Sequence, residues 1–204
     1  SSVYFGFFGA LAVWGWIELA FLTGIVSGPV RSDCPPDVRG KERFFRAFGT
    51  VSHHELLLTL GLFGLVIASS EATNRMALAT YLILFLARIL AKLNLFFGVP
   101  RINTEFLPQP LSHLKSYFRT GPVTPAFAAA VTILTALLVV CAERLMGATS
   151  LYTQTGYALL TALAALALLE HWLMVVPLPD AKLWRWMLPA PTLTQDQESK
   201  TNGF

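Results

Sequence analysis

Glu170 and His171 stand side by side in a run, Tyr157 to Val176, that is otherwise almost wholly apolar. A carboxylate at bilayer depth costs on the order of 2.5–3.5 kcal/mol on insertion scales, so it needs a partner or a task. Residues of the same kind recur in other apolar runs: Glu18, the tetrad Ser52-His53-His54-Glu55, and Arg88, Lys92 and Asn94. Glu18, His54, Glu55, Glu170 and His171 together supply the donors of a transition-metal centre, carboxylate oxygens and imidazole nitrogens. Carboxylate-bridged, di-iron-type pairs in helix bundles use the same set. The Glu-x-x-His spacing usual there is absent, and the acid and imidazole are adjacent instead. Neighbours on a helix point about 100° apart, so both reach one site only if the helix axis passes close to it. A histidine could also be the axial ligand to the magnesium of a (bacterio)chlorophyll-type tetrapyrrole. The third reading is an ion-pair network, Glu18, Glu55 and Glu170 against Arg88 and Lys92, with Asn94 and the histidines filling hydrogen bonds. A proton or substrate path is the fourth. Residue types alone leave these open.

The elements that must carry these residues read clearly. The chain has 204 residues, 54% hydrophobic and only 13% charged, with mean hydropathy +0.57. Soluble domains carry about 25% charged residues, so the composition predicts an all-α polytopic membrane protein embedded in the lipid bilayer. Apolar stretches long enough to cross it, about 20 residues each, fall at approximately 3–26, 50–70, 76–97, 126–145 and 155–176. A single transmembrane domain over 1–188 and a polar tail over 189–204 follow. Gly28-Pro29, Gly98-Val99-Pro100 and Pro177 punctuate the spans. Between the third and fourth, the spacing over 111–119 predicts an amphipathic segment lying along the interface, with His113 on its surface. A second interfacial segment is expected over 180–187, where Trp184 and Trp186 flank Arg185.

Charge sets the orientation. With five spans, one side receives Arg31, Arg39, Lys41, Arg43, Arg46, Arg101, Lys115, Arg119, Lys182, Arg185 and Lys200, and the other only Arg75 and Arg144. That asymmetry predicts a cytoplasmic C-terminus, with Ser1 at the outer face. The basic excess orients the chain in a membrane; it does not signify nucleic-acid binding. The same topology sets Glu18, His54, Glu55, Arg88, Lys92, Glu170 and His171 in one half of the bilayer, Glu18 roughly 13 Å from the surface at helical rise. Cys34 and Cys141 lie near opposite faces, so no disulfide is expected between them. Phosphate loops, dinucleotide glycine patterns and Cys-x-x-Cys are all absent. The chain enters an apolar helix straight from Ser1, so further segments are expected ahead of it.

Several unusual words occur in order: Trp14-Gly15-Trp16-Ile17-Glu18-Leu19, His54-Glu55-Leu56, Ala91 to Pro100, Glu170-His171-Trp172, Pro177 to Ala181 and Leu183-Trp184-Arg185-Trp186. Over nearly all of 1–189 the chain resembles the PuhE-type photosynthetic complex assembly proteins of phototrophic bacteria. The resemblance implies a bacterial photosynthetic (intracytoplasmic) inner membrane and about seven spans in the whole protein. It further implies a part in reaction-centre assembly or bacteriochlorophyll supply, with photosynthetic-complex or bacteriochlorophyll-biosynthesis proteins as partners. Alternatives from other classes are a membrane-embedded metal enzyme of pigment synthesis, or its subunit, and a structural subunit of a photosynthetic complex.

Overall fold

The computed structural model describes residues 3–105 and 107–176. The expected interfacial segment at 180–187 and the tail at 189–204 lie outside the described residues. Five long helices, α1 (Val3–Leu22), α2 (Gly40–Ala68), α3 (Met76–Phe97), α4 (Pro125–Met146) and α5 (Leu151–Leu173), are each long and apolar enough to cross a membrane. A 3-10 helix, Gln109–Tyr117, stands between α3 and α4. The expected all-α, five-span architecture is therefore borne out.

α3 is the hub: it packs against each of the other four long helices. Its span is also the most enclosed, 33% buried inside the protein, while that of α2 is only 11% buried. Such outward-facing apolar surface suits hydrocarbon. Near the end where α1 and α3 begin, Val3, Phe7, Met76, Ile83, Cys141 and Leu160 form one core cluster. Farther along α3, Ala87 and Leu90 meet Ala130, Leu134 and Ala167. The small side chains on α4 and α5 let these helices approach closely, the usual device where lipid supplies no hydrophobic drive between helices. Beside the first cluster α1 and α5 are in contact; a cleft lies between them where Trp14 and Glu18 face Leu166 and Glu170.

α2 begins at Gly40, ahead of the expected position 50, because Lys41, Arg43 and Arg46 continue a helix instead of a loop. Arg43 earns that extension. It donates to the carbonyls of Phe96 (3.2 Å) and Tyr117 (2.5 Å), and its guanidinium lies 4.4 Å from the Phe96 ring centre. It thereby caps free carbonyls at the C-terminal ends of α3 and the 3-10 helix. The expected amphipathic segment forms as a 3-10 helix, with Leu111 and Leu114 packed under Phe21. His113 is buried there, 7% exposed, not on the surface as expected. Cys34 and Cys141 are both free.

Between α1 and α2 the loop docks onto a helix backbone. The Ser27 carbonyl accepts from the N–H groups of His53 (3.0 Å) and His54 (3.1 Å), and Val30 N–H donates to the Gly49 carbonyl at 3.3 Å. Only glycine fits at position 28, where a Cβ would run into the backbone of Gly49 and Thr50.

Candidate functional site

α3 presents Arg88 and Lys92 one turn apart, so both side chains leave the same face. Arg88 Nη2 donates to Glu18 Oε2 of α1 at 3.0 Å. Lys92 Nζ donates to Glu55 Oε1 of α2 and lies 3.1 Å from His54 Nδ1. An ammonium has only donors, so His54 Nδ1 must accept, and its proton sits on Nε2. That nitrogen faces Glu18 Oε1 at 3.6 Å. The result is a continuous series across three helices: Glu55, Lys92, His54, Glu18, Arg88.

Packing fixes the series. His54 is completely buried. The Phe21 ring lies 4.3 Å from the imidazole centre, tilted by 32°. The Arg88 and Lys92 cations stand 5.9 and 5.7 Å from the same ring, within the range of cation–π attraction. Sequence reasoning missed Phe21, although it stands one turn after Glu18 and therefore on Glu18's face. It also missed Tyr81, whose hydroxyl donates to the Leu58 carbonyl at 3.0 Å and fills the space beside Gly61. His53, next to His54, is exposed and takes no part.

Of the remaining candidates, Glu170 comes close and two do not. Glu170 lines a cleft of about 290 Å³ with Trp14, Glu18 and Arg88. It also lines a second cavity of about 1340 Å³, reached by Arg88, Lys92 and Glu55 as well. The two spaces share Arg88 and Glu170. His171 lines neither: it is completely buried, with Nδ1 2.8 Å from the Ala167 carbonyl, to which it donates. Among the described residues no hydrogen bond reaches its Nε2, and Asn94, also buried, has neither amide atom bonded. Among the described residues no three His, Cys, Asp or Glu side chains converge on a point that could hold a metal ion. Arg88 is paired with Glu18 and Lys92 with Glu55.

The larger cavity is amphipathic. Its floor is α3 (Phe85, Arg88, Lys92, Phe96), one wall is α1 and α2 (Phe21, Phe44, Phe48, Glu55), and the other is α5 (Glu170, Leu173, Met174). Part of the segment following α3, with Leu107 and Phe118, forms its rim. Drug-sized ligands occupy about 300–1,000 Å³. This space exceeds that, and its lining suits a large apolar body with a polar centre.

Five apolar helices around a charged cleft define a polytopic helical membrane protein. The chain belongs to the DUF3623 family, described as a protein of unknown function, whose profile matches residues 1–195. It is 49% identical over 189 residues to a Rhodobacter capsulatus protein named "uncharacterized 30.4 kDa protein in puhA 5'region", a match covering 93% of this chain and 69% of that protein. No solved structure matches.

Proposed function

We propose that this chain is an integral-membrane accessory factor of the bacterial photosynthetic apparatus, of the PuhE type. It holds a bacteriochlorophyll-class tetrapyrrole for reaction-centre assembly or for pigment supply. The observation that carries the reading is the cavity of about 1340 Å³, lined largely by apolar side chains, phenylalanines among them, with Glu55, Arg88, Lys92 and Glu170 set into it from α2, α3 and α5. A tetrapyrrole needs such a space: a wide apolar container with a few fixed polar groups to orient the macrocycle. When bound, the pigment would bring a Lewis-acidic metal centre and its absorption. The chain's own part is to hold, orient and shield it, with Phe21, Phe85 and Phe96 against the ring system and the α3 cations along one edge. The relative's name supports the context, since its gene lies in the puhA 5' region. The basic loops orient the chain in the inner membrane with the cavity rim toward the cytoplasm.

Co-purification tests the reading. Wild-type protein extracted in mild detergent from a pigment-making membrane should carry a tetrapyrrole absorption band. Ser52→Trp, which fills the cavity from the α2 wall, should be recovered folded and without the band. A pigment-free wild type, or equal loading of Ser52→Trp, would overturn the reading. Stoichiometric retention of the chain in finished reaction centres would favour a structural subunit, because an accessory factor must leave.

A further inference from the structure

We propose that Glu170 is the residue that reads the ligand of this cavity, its carboxylate being the group that would hold a central magnesium ion. The inference rests on the pigment-class reading above and adds the contact that selects. Its first support is charge balance. Arg88 is held by Glu18 and Lys92 by Glu55. His54 turns Nδ1 to Lys92 and Nε2 to Glu18, so both its nitrogens face other members of the series. Of the three carboxylates carried by α1, α2 and α5 at this depth, Glu170 is the one with no cation on it among the described residues; Arg101 and Glu105, from the segment after α3, line the same cavity.

Its placement is the second support. Glu170 is exposed, has no ion pair or hydrogen bond among the described residues, and lies where the two cavities meet. It stands in the last turn of α5, at the negative end of the helix dipole. A carboxylate at this depth is costly without a counter-charge, and the helix end worsens the imbalance. The ligand that relieves it brings an electron-poor centre on an apolar body. Magnesium is a hard ion that takes oxygen donors, carboxylates among them. His171 has the more familiar ligand type, but it turns about 100° away, is completely buried and reaches neither cavity.

The experiment uses purified protein in mild detergent, with a magnesium chlorin and its metal-free counterpart as probes, and reads binding by absorption shift. Wild type should prefer the magnesium form by at least about tenfold, the usual scale for a metal contact. Glu170→Leu, which removes the oxygen donor, should bind both forms alike, at the affinity wild type shows for the metal-free one. Being exposed and unpaired among the described residues, position 170 accepts this change of similar size without loss of the fold. A preference that survives in Glu170→Leu, or a wild type that binds both forms equally, overturns the inference and leaves the pigment-class reading standing. A folded wild type that binds neither form overturns both.

Discussion

Arg88→Met offers the most searching test of the charged series. Arg88 is 30% exposed and its partner Glu18 only 18%, and they meet at 3.0 Å. Removing one member of a fully buried pair costs about 3–5 kcal/mol, nearly all of it from the charge left behind. Two features of the structure reduce that figure. The cleft beside Glu18 admits some water, and the His54 Nε2 proton at 3.6 Å can close on the abandoned carboxylate. We expect Arg88→Met to lose about 2–3 kcal/mol, a value also in keeping with the insertion cost of an unpaired charge. Glu18→Leu should lose about as much, since it strands the guanidinium. The double variant Glu18→Leu/Arg88→Met leaves no charge unpaired, and apolar replacements of buried pairs are often close to neutral. It should lie within about 1 kcal/mol of wild type, giving a coupling of about 3–6 kcal/mol in the double-mutant cycle, at or above the upper end of measured pairs. Equilibrium unfolding in mixed mild-detergent and dodecyl sulfate micelles, followed by tryptophan fluorescence, supplies the four stabilities. Additive losses, with the double variant no better than the sum of the singles, would refute the pairing.

Two further predictions follow from packing and from pH. A methyl group at Gly61 would lie 2.5 Å from the Tyr81 hydroxyl, so Gly61→Ala should cost about 1–3 kcal/mol by overpacking; adding Tyr81→Phe should recover part of that loss in the same unfolding assay. Burial pushes the His113 imidazole below its ordinary value, with nearby Asp33 raising it and Arg31 lowering it further. A base depressed in the folded state is stable when neutral, so its contribution is complete above the unfolded value of about 6.5 and is lost as pH falls below it. Protection of the Gln109–Tyr117 amides, taken relative to the intrinsic exchange rate at each pH, should therefore fall as pH drops below about 6.5, and His113→Gln should flatten that dependence.

The helices were legible in the sequence because glycine and proline bracket long apolar runs, and lipid leaves a backbone no other way to satisfy its hydrogen bonds. That Glu18, Glu55, Arg88 and Lys92 share a depth was legible too, since topology plus 1.5 Å per residue fixes it; which acid meets which base was not. Rotation about a helix axis is a different matter. Glu170 and His171 share a depth but not a face, and only packing against α3 and α4 decides which of them enters the cleft. A signal for it existed: Gly156, Leu160, Ala164, Ala167 and His171 form one buried stripe at helical spacing, and Glu170 lies off it. The start of α2 was hidden because its first turns are charged, and charge suggests a loop until Arg43 finds its carbonyls.

The hydrogen bonds from His53 and His54 to the Ser27 carbonyl have a mechanical meaning. They clamp the loop between α1 and α2 to the very turn of backbone that carries the imidazole. That loop bears Arg31 and Arg39 and ends at Gly40, where the backbone turns with φ +57° into α2. The loop therefore cannot shift independently of that turn: any displacement of Arg31 or Arg39 that moves Ser27 bears directly on the stretch of α2 from which His54 meets Lys92 and Glu18.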